Sequence, residues 1–374
     1  MKRRKRNDRL RFAVVGQGYF AQAAVLPAFK HARSCELVAL FSDDQAKREK
    51  LRRRYQVAFA LPYEEFDDFL RSGEVQAVYL AVPNHLHRDY TLRAARAGVH
   101  VLCEKPMAVT VEECEQMIET CAENRVKLMI AYRLHLEKAN LAAIEVIRRG
   151  RLGDPRYFTS AFSFQLDEDN VRSIPTSKGG GPLYDIGTYC INASRYLLQA
   201  EPTQVVALTG HRPDQPGLER IEEQAAAVLR FPDDRLASFT VSFGAADVAR
   251  YSVAGTKATL TLDPAYSHSS PIEMILETER GKQRKKFPLS DQVAAELSYF
   301  AECVRTGRDP EPDGWEGLHD VAIIRAILES ARTGRAVDLH LEDRRQRPGA
   351  HQARKKPAPK GGKHDLVHAA PPRG

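Results

Sequence analysis

Three side chains in this sequence have types and settings suited to moving a proton off a hydroxyl group. Lys105 lies in Val101-Leu102-Cys103-Glu104-Lys105-Pro106, after an apolar run and before a proline that fixes the turn. Asp185 and Tyr189 lie in GGGPLYDIGTYC, residues 179–190. On a helix beginning near Pro182, positions four apart share a face, so the carboxylate and the phenol would point the same way. Oxidising an alcohol requires a base for the hydroxyl proton, and a phenol serves near neutrality only with positive charge beside it. Lys105 is the candidate for that charge. Taken singly, each has a plain alternative: a surface lysine, or a core tyrosine on an amphipathic helix.

A second glycine-rich stretch runs Gly16-Gln17-Gly18-Tyr19-Phe20-Ala21. Gly16, Gly18 and Ala21 form G-x-G-x-x-A between a buried strand and a helix, the setting in which this loop carries a dinucleotide pyrophosphate. The strand Leu37–Phe41 is then followed by Ser42, Asp43, Asp44 and Lys47. An acid at that strand end accepts the ribose hydroxyls of NAD, whereas a 2′-phosphate needs donors and positive charge. Ser42 and Lys47 favour NADP over NAD, with Asp43 as the feature that would serve NAD and helix capping as the plain role of Ser42. AVPNHLHRDY, residues 81–90, places Pro83, Asn84 and His87 at another strand end, where open α/β sheets bind ligands. His85 and His87 lack a third ligand at matching spacing, so no metal is expected.

Alternating elements must position these groups. Apolar runs at 10–15, 36–41, 77–82, 99–103 and 127–131 alternate with amphipathic stretches at 20–32, 44–55, 87–97 and 111–124, which specifies a parallel sheet covered on both faces. Beyond residue 132, helices at 136–149 and 185–198 precede strands at 203–208, 224–231, 236–243, 251–254, 258–262 and 273–279, and helices return at 291–305 and 315–332. The expected fold is α/β: a doubly wound parallel-sheet domain over 10–132, then an α+β domain over 133–341 with a large open antiparallel sheet. Residues 1–9 and 342–374 are expected to be basic disordered ends.

The ordered set G-x-G-x-x-A, Pro83-Asn84 with His87, Glu104-Lys105-Pro106, Tyr132-Arg133 and the G-G-G-x-L-x-D-I-G of residues 179–187 resembles the Gfo/Idh/MocA oxidoreductases over about residues 10–340. DIGTYCINASRYLL and GLHDVAIIRAILESARTGRAV are most similar to the branch of glucose-fructose oxidoreductase, NADP-dependent aldose dehydrogenases and dihydrodiol dehydrogenases. The resemblance implies an N-terminal Rossmann domain for NAD(P) and a second domain used for substrate binding and homo-oligomer contacts. It also implies that Lys105 contacts substrate and nicotinamide, that Asp185 binds substrate, and that Tyr189 is the acid/base. Gly16, Gly18, Tyr19, Phe20, Ala21, Ser42, Lys47, Pro83, Asn84, His87, Glu104, Lys105 and Arg133 are the expected coenzyme contacts. The resemblance departs in two places. Only about nine residues precede the first strand, against a long coenzyme-holding arm in glucose-fructose oxidoreductase, so an exchangeable coenzyme is expected. DNVRSIPTSKGGG keeps Arg172 but lacks the tryptophan that accompanies this arginine in relatives.

Composition fits this reading. The net charge is +7, but residues 1–11 and 342–374 each carry +6, leaving −5 on residues 12–341. A mildly acidic body argues against a nucleic-acid surface, and the tails are expected to be solvated, with loose polyanion contact as their alternative role. Six scattered cysteines without a C-x-x-C pair suit free thiols in the cytoplasm, and no apolar run is long enough for a membrane span. The expected activity is hydride exchange between the coenzyme and a hydroxyl or carbonyl carbon of a sugar or cyclic polyol. A non-catalytic NAD(P)-binding sensor of the same fold is the competing expectation.

Overall fold

The architecture is given by a computed structural model that describes residues 9–167, 170–212, 218, 220–344, 346–359 and 365–372. Residues 1–8, most of the expected basic N-terminus, lie outside the described residues. The first sheet contains β1 (Leu10–Val15), β2 (Cys35–Phe41), β3 (Phe59–Leu61), β4 (Ala77–Leu80), β5 (His100–Cys103) and β6 (Leu128–Ile130). All neighbours pair in parallel in the order β3-β2-β1-β4-β5-β6, which places a topological switch point between β1 and β4. Helices α1 (Leu26–Ala28), α2 (Gln45–Tyr55), α3 (Phe66–Arg71), α4 (His87–Arg96) and α5 (Val111–Glu123) connect the strands. β1, β4 and β5 are nearly continuous in buried apolar residues because both faces are covered.

The second sheet contains β7 (Pro155–Ser163), β8 (Gln204–Gly210), β9 (Gln224–Phe231), β10 (Arg235–Ser242), β11 (Val248–Gly255), β12 (Ala258–Asp263), β13 (Ile272–Thr278), β14 (Gly281–Phe287) and β15 (Val337–Asp338). Its order is β14-β13-β12-β11-β7-β10-β9-β8-β15, antiparallel throughout except where β10 runs parallel to β7. One face packs on α6 (Lys138–Arg148), α7 (Thr188–Leu198) and α9 (Gly314–Thr333), and the strict in/out alternation of β9 follows from that one-sided cover. The other face leaves Tyr157, Val206, Leu208, Val228 and Leu236 exposed.

The sequence boundary at 132/133 separates the sheets but not the packing. α8 (Gln292–Thr306) returns to the parallel sheet, where Val293, Leu297 and Phe300 join Phe12, Leu40 and Met129 in one core. The expected disordered tail is a correction of the same kind. Gln352 and Val367 are buried, Arg344 pairs with Asp313 and Glu316, Arg347 with Glu201, and Arg354 with Glu302. The tail is poor in apolar residues and so carries no packing signature, but its cations meet carboxylates on the acidic body.

Below the second sheet, the fully buried Arg195 guanidinium is enclosed by Glu201, Glu316 and Asp320 at 2.5–2.9 Å. Removing the cation would leave acids in a low-dielectric site without compensation. Arg195→Met is therefore expected to lower unfolding free energy by about 3–5 kcal/mol, read from urea denaturation. A loss below about 1 kcal/mol would show that the cluster does not depend on its cation.

Candidate active site

The glycine loop lies at the switch point, between β1 and the helical run through Ala21–Val25 and α1. Gly16 has φ +92°, and a Cβ there would stand 2.4 Å from the Ala81 carbonyl oxygen, so only glycine lets the loop pass β4 this closely. A Cβ on Gly18 would meet nothing within 4 Å. That open space over a helix N-terminus is what a pyrophosphate requires, so the loop fits a dinucleotide. Ala21 is buried, Tyr19 is half-buried at the loop, and Phe20 meets the His268 ring edge-on at 6.0 Å.

At the end of β2, Asp44 rather than Ser42 caps α2, its carboxylate accepting from the Lys47 backbone N–H at 2.9 Å. Asp43 turns toward the Tyr63 backbone N–H, 3.2 Å from its Oδ1. Both acids are thus engaged by the protein's own backbone, while Ser42 is buried at the strand end and Lys47 stands in the first helical turn.

Two of the expected coenzyme contacts, His87 and Asn84, are hydrogen-bonded to the protein's own backbone. His87 is fully buried, with its ring nitrogens 2.9 Å from the Pro106 carbonyl and 3.0 Å from that of Val82. Burial pushes its pKa down against the opposing pull of these carbonyls, and the ring lies between the Lys105-Pro106 turn and the end of β4. Asn84 follows Pro83 in a short 3₁₀ turn, and its amide donates to the Gly179 carbonyl at 2.6 Å. The triple glycine serves close approach to protein groups: a Cβ on Gly179 would stand 2.8 Å from that of Asn84, and one on Gly180 only 1.7 Å from the Ile174 carbonyl oxygen.

Lys105 and Asp185 meet across the two domains. The Lys105 ammonium donates to the Asp185 carbonyl at 2.6 Å and to its Oδ1 at 3.0 Å, and Arg172 Nε donates to Oδ2 at 2.7 Å. Asp185 sits in a π-helical turn, Leu183–Gly187, that leads into α7 and Tyr189. Burial works against the Lys105 charge, but Asp185, Tyr189 and Glu104 outweigh it and raise its pKa. Burial also pushes the Asp185 carboxyl up, yet Lys105 and Arg172 hold it down at about 2, against an ordinary 3.8. Lys105 is therefore a fixed cation and Asp185 a fixed anion; neither is poised to exchange a proton near neutrality.

Tyr189 is the remaining group. The Lys105 ammonium and the Arg133 guanidinium each lie 4.8 Å from its ring centroid, and Arg133 Nε donates to its phenolic oxygen at 3.2 Å. Arg133, expected at the coenzyme, is almost wholly buried and spends its other nitrogens on Gln292 and on the Tyr266 carbonyl. Glu104 accepts from the Tyr79 hydroxyl, and burial, against the opposing pull of that bond and of Lys105, raises its carboxyl pKa. The sequence reading missed Phe162 and Tyr266, stacked at 5.1 Å and both beside Tyr189: Phe162 lies on β7, which was not recognised, and Tyr266 in the loop between β12 and β13; it noted Arg172 without a role. No cluster of three or more potential metal ligands occurs among the described residues, and no helix among them is long and apolar enough to cross a membrane.

The family model for the oxidoreductase family with an NAD-binding Rossmann fold matches residues 10–132, and that for its C-terminal alpha/beta domain matches residues 144–339. The chain belongs to the Gfo/Idh/MocA oxidoreductase family. Among its relatives, an NADP(+) D-xylose 1-dehydrogenase of Haloarcula marismortui is 34% identical over 88% of this chain and 93% of the relative. A mouse trans-1,2-dihydrobenzene-1,2-diol dehydrogenase is 25% identical over 90% of this chain and 99% of the relative. The crystal structure of an aldose-aldose oxidoreductase from Caulobacter crescentus in complex with glycerol superimposes with a TM-score of 0.84 at 36% identity, covering 88% of this chain and all of that one. This Gfo/Idh/MocA chain is thus an oxidoreductase, and the parallel sheet and second sheet are its two family domains.

The ion pairs of Asp185 have a pH signature. With a folded pKa of about 2 against 3.8 unfolded, its carboxylate contributes about 2 kcal/mol above pH 3.8, and that contribution is lost as the pH falls toward 2. The gap in urea midpoint between wild type and Asp185→Asn is expected to be full above about pH 4 and to narrow below it. A gap independent of pH would show that ion pairing is not what the substitution removes.

Proposed function

We propose that this oxidoreductase interconverts a hydroxyl and a carbonyl on an aldose or related cyclic polyol with NADP as coenzyme, and that Tyr189 exchanges the hydroxyl proton. The observation that carries the reading is the Tyr189 phenol with two cations over its ring, one of which donates a hydrogen bond to its oxygen. When bound, the nicotinamide takes up or returns the hydride of the carbinol carbon. In the oxidation direction Tyr189 takes the hydroxyl proton as the carbinol carbon becomes a carbonyl; in reduction it gives the proton back. Lys105 uses two of its three donors on Asp185 and keeps the third for the substrate oxygen, stabilising charge that develops there. Asp185 and Arg172 hold that ammonium in place.

Phe162 and Tyr189, both partly exposed and backed by the buried Tyr266, supply the flat apolar surface on which the C–H faces of a sugar ring stack. D-Xylose and aldose are the substrates named for the relatives at 34% and 36% identity, which supports an aldose here. For the coenzyme, the engagement of Asp43 and Asp44 leaves Ser42 and Lys47 as the groups suited to a 2′-phosphate. The exposed apolar face of the second sheet is the surface on which the same reading places a homo-oligomer contact.

Tyr189→Phe and Lys105→Ala are expected to lower kcat with aldose and NADP by about 10²- to 10⁴-fold while NADPH affinity, read by nicotinamide fluorescence, stays within about threefold. Undiminished turnover would remove these residues from the mechanism. Ser42→Asp is expected to shift the ratio of kcat/KM from NADP toward NAD by at least about tenfold through repulsion of the 2′-phosphate. A wild type that already prefers NAD would overturn the coenzyme assignment.

A further inference from the structure

The described end of the chain, residues 365–372, runs between the two domains at the coenzyme loop. The Val367 backbone and the Gln22 side chain form a reciprocal pair, N–H to Oε1 at 2.9 Å and Nε2–H to the carbonyl at 2.9 Å. Gln22 stands on the helical run that follows Gly18, and its amide also donates to the Gln17 carbonyl within the glycine loop, at 2.8 Å. Asp365 pairs with Arg54 at 2.7 Å and Lys50 at 3.3 Å, both on α2, and His368 Nδ1 lies 2.6 Å from Oδ2 of Asp44, the cap of that helix. A few residues later the chain reaches the second domain: the Pro372 carbonyl accepts from the Asp167 N–H at 3.0 Å and the Pro371 carbonyl from the Asn170 amide at 3.3 Å.

Three residues of extended chain span only about 10 Å, so the passage from His368 to Pro371 is a short bridge over the gap between domains. Its near anchor is the helix start that meets a pyrophosphate and the strand end that meets a 2′-phosphate. Its far anchor is coupled to the proton-transfer groups, because Asn170 Oδ1 accepts from Arg172 Nη1 at 3.2 Å and Arg172 holds Asp185. The segment is seated rather than draped, since Val367 is buried in the core shared by β1, α1 and α8. Departure of a dinucleotide from the loop would require this bridge to part.

We propose that residues 365–372 are a strap completing the coenzyme site, one that retains bound NADP(H) and slows its exchange. The inference rests on the coenzyme reading above and reverses the expectation drawn from the short N-terminus, since the opposite end of the chain provides the cover. The test measures the NADPH dissociation rate by stopped-flow nicotinamide fluorescence, chasing with excess NADP, in wild type, in a chain ending at residue 359, and in the full-length double variant Asp365→Ala/His368→Ala. Neither variant removes a residue assigned to catalysis, and the double variant decides the matter should the shortened chain fail to fold. The expected result is dissociation faster by about tenfold or more in the shortened chain and by a smaller factor in the double variant, with thermal midpoints showing intact folding. An unchanged or slower rate would overturn the strap, and slower release with tighter binding would identify the segment as a plug. A wild type that binds neither NADPH nor NADH would instead overturn the coenzyme reading itself.

Discussion

The ion pair between Lys105 and Asp185 is the constraint on which the site depends, because its partners come from different sheets. Lys105 follows β5 at the carboxyl edge of the parallel sheet, and Asp185 begins the helical run that packs on the second sheet. A largely buried ion pair is weak evidence for stability, because desolvation consumes much of the attraction. Its value here is positional. Two hydrogen bonds from one ammonium, to a carbonyl and a carboxylate of the same residue, fix both distance and direction, and Arg172 occupies the other carboxylate oxygen. Tyr189 lies one turn beyond Asp185, so the pair sets where the phenol stands relative to the nucleotide loop.

The supporting groups follow from that requirement. His87 fastens the turn that carries Lys105, and Asn84 fastens the glycine segment that precedes Asp185, so the two arms of the ion pair are each tied back to the end of β4. Arg133 holds Tyr189 from a third direction while being held by Gln292 of α8 and by Tyr266. α8 is the helix that returns to cover the parallel sheet, which explains why the packing ignores the sequence boundary between domains. Preorganised donors act on developing charge without having to reorganise during reaction, and this network fixes its donors before any substrate arrives.

Much of this was legible in the sequence, for physical reasons that differ by residue. The glycine loop was readable because steric demand at Gly16 leaves no alternative residue, and the buried parallel strands because continuous apolar runs have few other uses. Asp185 and Tyr189 were readable from helical spacing even though the turn between them is π-wound. β7 was not: only Phe158 is buried in its nine residues, so the central strand of the second sheet lacks an alternating pattern. β3 is three half-buried residues and β14 is polar until Phe287, and neither carries a periodic signal. The protein partners of Arg133, His87 and Asn84 were not legible because they lie far off in sequence, and contact across domains leaves no local trace.

The tail shows how charge misleads when read along the chain alone. A stretch rich in Arg, Lys, Pro and Gly has the composition of a solvated end, and composition fixes how much apolar surface a segment can bury. It does not fix where the cations go. With −5 on the body and +6 on residues 342–374, attraction between the two is available without any external polyanion. Arg344, Arg347 and Arg354 realise it against Glu316, Glu201 and Glu302, carboxylates that are buried or half-buried and would be costly to leave unpaired. Once those pairs lead the chain back over α8, a single buried valine and a two-way amide bond suffice to hold its last described residues beside the glycine loop. The basic character that suggested a role outside the molecule is what directs this segment onto it.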